Sequence, residues 1–133
     1  MIYPLLDYSF YVVIIILFLY KQKQVWKPFF LLMVLVHLLK VSVHKERPDQ
    51  SDFYSFPSGH AAAAWFFVVA YQWNPILFVW AMLISMSRVI YKRHDELDVI
   101  AGTLLGILVP YLYIHYHGSF RINSNLFRPS NPA

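Results

Sequence analysis

The sequence predicts an all-α fold, a polytopic membrane bundle of about five transmembrane helices. Three observations lead there. Of 133 residues, 59% are hydrophobic and only 14% carry charge, too apolar a balance for a soluble domain of this size. The apolar residues gather into five stretches, and nearly all the charges fall between them.

By length the chain is one domain, read as a membrane-embedded unit over residues 1–120 with a tail, 121–133, whose composition ("RINSNLFRPSNPA") predicts disorder. The first stretch, 4–20, follows a start without basic residues and has no small-residue cleavage site behind it. It therefore reads as a retained membrane segment rather than a signal peptide. The second, 25–43, has the length of a span. The third and fourth, 58–73 and 75–91, fall short of the ~20 residues of a perpendicular crossing. Asn74-Pro75 between them is a turn signal, so they read as a tight helical hairpin that crosses and returns. The fifth covers 97–116. Tyr8, Trp26, Trp73 and Tyr91 lie near the expected ends, as interfacial aromatic belts do. With no cysteine, neither disulfides nor a Cys-based metal site is available, and no nucleic-acid partner is expected.

If every stretch spans, one face receives the N-terminus and residues 40–57 and 88–98, and the other receives 21–27, the Asn74-Pro75 turn and the tail. The second face carries Lys21, Lys23, Lys27, Arg121 and Arg128 and no acid. The first carries Lys40, Lys45, Arg47, Arg88, Lys92 and Arg93 with Asp7, Glu46, Asp49, Asp52, Asp95, Glu96 and Asp98. Basic residues alone set topology, and five against six is nearly even. The count tips only if Lys40, Arg47 and Arg88 are engaged in a site, which puts the acid-containing face outside the cytoplasm. The same alternation brings four segment ends together: Lys40 closes the second, His60 opens the third, Arg88 closes the fourth, and His94 and Asp98 open the fifth. Three cations, two histidines and a carboxylate at a membrane surface make a receptacle for a phosphate whose hydrophobic tail stays in the bilayer.

Taken singly, each residue has an ordinary reading. Lys40 and Arg47 serve equally as snorkelling anchors, and Ser58-Gly59 as a helix cap. His94 and Asp98, at i and i+4, share one helical face and fit a local helix-start interaction. Arg88 is harder to place, because it follows the apolar run "FVWAMLISMS" directly and requires an anion.

In order and spacing the residues resemble a known family. "KVSVHKERP" at 40–48, "PSGH" at 57–60 and "SRVIYKRHDELD" at 87–98 match the three-part signature of the type 2 phosphatidic acid phosphatase and vanadium haloperoxidase superfamily. That signature is Lys, six residues, Arg-Pro; then Pro-Ser-Gly-His; then Ser-Arg, five residues, His, three residues, Asp. The resemblance covers about Lys40 to Gly106, including "DVIAG" after the last motif. It implies a helical bundle with the site at one membrane face, a phosphatase that needs no metal or other cofactor, and a phosphohistidine intermediate.

The chemistry of the residues fits those roles. Phosphoryl transfer needs neutralised equatorial oxygens and an in-line nucleophile. Lys40, Arg47 and Arg88 supply the cations. Ser58 and the N–H groups of Gly59 and His60 hold another oxygen, with Gly59 allowing close backbone approach. His94 is the expected nucleophile, with Asp98 accepting its other ring N–H. His60 is the expected general acid, and later the base for the hydrolytic water.

Two departures from the family stand out. Bacterial members commonly have six membrane segments and five are counted here, so the packing role of one N-terminal segment is expected to pass to lipid or to a neighbouring molecule, as in a homo-oligomer. Asp95-Glu96-Leu97 follows the nucleophilic histidine where many members have an aromatic residue. These acids either repel a phosphate or point into water and contact Lys92 or Arg93, and the second is expected because adjacent helical positions face different ways. Of the remaining histidines, His44 reads as a loop residue and His37 as a packed, bundle-facing one. His115 and His117, two apart on a helix, diverge and lack a third metal ligand. Gly102 and Gly106 predict close helix packing, within or between chains.

The expected protein is thus an integral membrane lipid-phosphate phosphatase, placed in a bacterial inner membrane with its site facing the periplasm or exterior. Undecaprenyl diphosphate is the first candidate substrate, with phosphatidic acid, phosphatidylglycerol phosphate and lipid A phosphate behind it. A catalytically silent lipid-phosphate-binding relative and a vanadate-binding haloperoxidase are the alternatives. The first is opposed by intact His60, His94 and Asp98. The second belongs to a typically soluble branch.

Overall fold

The structure, a computed structural model, describes residues 2–19 and 23–117. The tail, 121–133, and the domain limit at residue 120 lie outside the described residues. So do Lys21, Arg121 and Arg128. Within the described residues the fold is all helical: α1 (Ile2–Leu19), α2 (Lys23–Val43), α3 (Gly59–Ala70), α4 (Pro75–Ile90) and α5 (Glu96–His117).

The sequence explains why α3 is central. Its run of Ala61 to Ala64 presents little bulk, so neighbouring backbones approach closely, and every residue from Ala61 to Ala70 is buried. α5 packs on it through two glycines. A methyl group at Gly102 would overlap the carbonyl oxygen of Ser58, and one at Gly106 that of Ala62. The glycine pair therefore packs within the chain, the geometry by which small residues bring membrane helices together. Gly102→Ala is expected to destabilise the protein by about 1–3 kcal/mol, although helix propensity alone favours alanine by about 1 kcal/mol. Thermal unfolding in detergent reads this, and an unchanged or raised Tm refutes it.

Two cores flank α3. Ala61, Ala64, Trp65 and Val68 pack with Phe10, Ala81, Ile84 and Val99, and Ala62, Phe66, Phe67 and Ala70 pack with Val25, Leu32 and Val36. α3 and α4 form the expected hairpin. Gln72 and Trp73 turn with φ of 56° and 59°, and Asn74 caps α4 by accepting from the N–H groups of Ile76 and Leu77.

Outward faces are apolar: Leu5, Tyr8, Phe30, Ile76, Val79, Leu97 and Tyr111 are all exposed. Among the described residues, only Val25–Val43 in α2 and Glu96–His117 in α5 are long and apolar enough to cross a membrane; the stretch Pro4–Leu17 of α1, and α3 and α4, are shorter apolar helices. Of the about five transmembrane helices expected, two meet that length. With 12 residues, α3 rises about 18 Å against a hydrocarbon core of about 30 Å. Its environment is the protein around it. His37, expected to face the bundle, is exposed on α2.

Candidate active site

The C-terminal ends of α2 and α4 and the N-terminal ends of α3 and α5 meet at one end of the bundle, joined by two connections rich in charged residues. Residues 44–58 fold back on themselves. The N–H of Arg47 donates to the carbonyl of Asp52 (2.9 Å), that of Gln50 to Arg47 (2.9 Å) and that of Ser55 to Lys45 (3.0 Å). The Asp52 carboxylate accepts from the Tyr54 N–H (2.8 Å) and from Arg47 Nε (2.7 Å), so one acid both shapes the loop and aims a guanidinium. In the second connection the N–H groups of Arg93 and His94 both donate to the Arg88 carbonyl, each at 3.0 Å, and this delivers His94 beneath the first loop.

His94 is 3% exposed. Its Nδ1 lies 2.7 Å from the carbonyl oxygen of Ser55, and its Nε2 lies 3.2 Å from Arg47 Nη1. A carbonyl only accepts and a guanidinium only donates, so the two contacts fix one tautomer, with the proton on Nδ1 and the lone pair on Nε2. Burial, followed by the neighbouring cations Arg47 and Lys40, holds the imidazole down to about 4. The ring is neutral at pH 7, as a nucleophile must be.

Asp98 differs from expectation. The carboxylate stands 3.7 Å from His94 Nδ1, beyond a hydrogen bond, and the Ser55 carbonyl takes the ring proton instead. Asp98, wholly buried, accepts from Ser55 Oγ, Lys45 Nζ (2.8 Å) and the Asp95 N–H (3.0 Å), while its carbonyl accepts from the Ser58 N–H (2.9 Å). It fastens the residue that orients His94 rather than His94 itself.

Lys45 bridges Asp98 and Asp95. Burial works against its charge, but the hydrogen bonds to Asp95 and Asp98 outweigh it and raise the ammonium's pKa. Burial likewise works against the Asp95 carboxylate, which the bond from Lys45 nonetheless keeps below the usual range. Asp95 thus points to Lys45, not to Lys92 or Arg93 as the sequence suggested. Arg93 instead pairs with Asp49 at 3.0 Å. Glu96 is exposed.

Lys40, in the last turn of α2, donates to the carbonyls of Tyr54 (2.8 Å) and Pro57 (2.6 Å), which leaves one of its three donors for a ligand. Ser58 caps α3, its Oγ accepting from the Ala61 N–H at 3.3 Å. Gly59 lies over Lys40, whose Cε would be 3.9 Å from an added methyl. The first-turn N–H groups of Gly59 and His60 have no partner within the helix, as at any helix start.

His60 stands in the first turn of α3, its ring 4.3 Å from that of Phe10. Arg88, 3% exposed in the last turn of α4, bonds Asp7 of α1 at 2.6 Å. The same Asp7 oxygen is 3.3 Å from His60 Nε2. Asp7 thus ties α1 to the ends of both α3 and α4. Beside His94 a cavity of about 650 Å³ opens, bordered by Pro48, Val89, Lys92, Asp95, Glu96 and Leu97. Val89 and Glu96 also border a largely apolar groove of about 380 Å³ that runs past Met86, Ile90, Val99 and Ile100.

Sequence reasoning missed Ser55, Lys45 and Asp7. Ser55 acts largely through a backbone carbonyl, which no residue type announces. Lys45 sits among other basic residues. Asp7 was legible only as an acid on the same face as Arg88. His44 stacks on Phe53 in the loop, and His117 stacks on Tyr113 away from His115.

This end of the bundle defines a class, an all-helical protein with Arg47 and Lys40 beside a tautomer-fixed imidazole and Arg88 beside a second histidine across Asp7. The chain belongs to the PAP2 superfamily, whose family model matches residues 27–122. It is also similar to a protein named undecaprenyl-diphosphatase from Sulfolobus acidocaldarius, 42% identical over 73 residues, which is 50% of this chain and 35% of that relative. The chain thus aligns with about a third of that relative's length. No solved structure matches it.

Proposed function

We propose that the protein is an integral membrane lipid-phosphate phosphatase, hydrolysing a lipid phosphomonoester or diphosphate through a phosphohistidine intermediate. The observation that carries the reading is His94, neutral, with the Nε2 lone pair facing the Arg47 guanidinium. A phosphate held by Arg47, Lys40, Arg88 and the α3 N-terminus presents phosphorus to that nitrogen. Nε2 attacks, the bond from phosphorus to the lipid oxygen breaks, and His60 gives that oxygen a proton. Water, deprotonated by His60, then cleaves the N–P bond and releases inorganic phosphate.

A lipid substrate is supported by the apolar outward faces and by the apolar groove that continues from the cavity beside His94. Undecaprenyl diphosphate leads the candidates, because the Sulfolobus relative is named for it. Phosphatidic acid, phosphatidylglycerol phosphate and lipid A phosphate follow, since the cation set reads the phosphate and not the tail.

Phosphate release from a panel of purified lipid phosphates in detergent tests this function, and no release from any of them refutes it. Lys40, Arg47 and Arg88 stand where a metal clamp would neutralise charge, so a chelator is expected to leave the rate unchanged. Loss of activity that added magnesium restores would overturn metal independence.

All five apolar segments are proposed to embed in a plasma membrane, the inner one in a bacterium, with the site outside the cytoplasm. Lys23 and Lys27 lie toward the opposite end from Lys40 along α2, in keeping with the preference of basic residues for the cytoplasmic side. A cysteine introduced at Ser51 is expected to react with a membrane-impermeant thiol reagent added to intact cells, and its protection would invert the orientation.

A further inference from the structure

Asp7 lies outside the sequence signature, yet it touches two groups to which the proposed reaction assigns the substrate. Its Oδ1 bonds Arg88 Nη2 at 2.6 Å and lies 3.3 Å from His60 Nε2. The contact with His60 is not an aligned hydrogen bond, and that buried nitrogen has no hydrogen-bond partner among the described residues. An anionic oxygen wedged between a buried guanidinium and an imidazole nitrogen occupies the place the proposed reaction gives to an oxygen of the phosphate.

Packing holds it there. Phe10 and Tyr11, three and four residues on and so on the same face of α1, set their rings against His60. Phe10 also stacks on Trp80 of α4, whose Nε1 donates to Ser9 Oγ at 3.2 Å. The Asp7 side chain is about one-third exposed while Arg88 is 3% exposed, so the carboxylate has solvent into which it can turn.

We infer that Asp7 is an internal competitor for the phosphate: in the substrate-free protein its carboxylate holds the place of a phosphate oxygen on Arg88, and a substrate's phosphate must displace it. This rests on the phosphatase reading and adds to it a residue that sets phosphate affinity. Asp7 weakens the hold on the product as well as on the substrate, because its charge returns to Arg88 as inorganic phosphate leaves.

The test is binding of inorganic phosphate, by titration calorimetry on the full chain in detergent, together with KM and kcat on a lipid phosphate. Asp7→Asn keeps the shape and removes the charge, and is expected to tighten phosphate binding and lower KM by about tenfold, the scale of removing one like charge beside a partly screened anion. Asp7→Glu is expected to stay within about threefold of the native protein, having kept the charge. A carboxylate that merely braces Arg88 predicts the reverse, with weaker phosphate binding in Asp7→Asn, and that result or no change overturns the inference.

Should the variants fail to fold, the native chain decides. Sulfate, an oxyanion that carbodiimide leaves alone, is expected to raise labelling of Asp7 by a water-soluble carbodiimide, and unchanged labelling overturns the inference. A protein that binds phosphate in this charge-dependent way but hydrolyses no lipid phosphate would sink the phosphatase reading and leave this one standing. Hydrolysis with phosphate binding indifferent to Asp7 would do the opposite.

Discussion

His94→Ala is expected to abolish turnover on every substrate, lowering kcat by at least about a thousandfold, and to leave no labelled protein when the transferred phosphate carries the label. The size of the effect follows from the geometry. The Ser55 carbonyl at 2.7 Å holds the Nδ1 proton, the lone pair is confined to Nε2, and that atom faces Arg47, to which the proposed mechanism assigns the phosphate. No neighbouring group replaces it. The carboxylates nearby are committed elsewhere, Asp98 to Ser55 and Lys45 and Asp95 to Lys45. Thermal unfolding of the variant separates lost chemistry from lost fold. Labelled protein in His94→Ala would show that another residue attacks phosphorus.

The sequence carried the site further than it carried the shell around it. Residues fixed by local spacing were legible: Ser58 two positions before His60 at a helix start, and Arg88 and His94 on either side of one short connection. Helix ends followed from the same local signals, Asn74-Pro75 opening α4 and Lys40 closing α2. Contacts that depend on how a loop folds back were not legible. Asp95 has Lys92 and Arg93 as neighbours in sequence, but residues 44–58 return across the site and bring Lys45, 50 positions away, into contact with it. Asp7 reaches Arg88 across 81 positions because Phe10 and Ser9 seat α1 on Trp80. Side-chain periodicity in α1 gives no hint of that partner. His37 went wrong for a related reason. A polar residue in an apolar helix was assigned to the interior, yet the interior face of α2 is already filled by Leu32 and Val36.

His60→Ala is expected to behave differently from His94→Ala, and the difference lies in the leaving group. A proton given to the departing oxygen matters most when that oxygen is a basic alkoxide, and least when it is a phosphate or a nitrophenolate. His60 occupies the first turn of α3, its Nε2 3.3 Å from the Asp7 oxygen that bonds Arg88, and the proposed mechanism assigns it the outgoing oxygen. The first-turnover rate for phosphatidic acid should therefore fall by about 10²–10⁴-fold, the range of a lost general acid. The rate for a diphosphate or an activated aryl phosphate should fall much less. The comparison belongs on the first turnover, because the proposed mechanism also gives His60 the water that cleaves the N–P bond, and its loss there would slow later turnovers for all substrates alike. Rapid-quench measurement of label transferred to the protein reads the first step by itself. With an aryl phosphate the variant should then accumulate labelled protein, since formation is nearly intact and breakdown is slowed. Equal losses across leaving groups would remove His60 from proton transfer and leave it as part of the phosphate cradle.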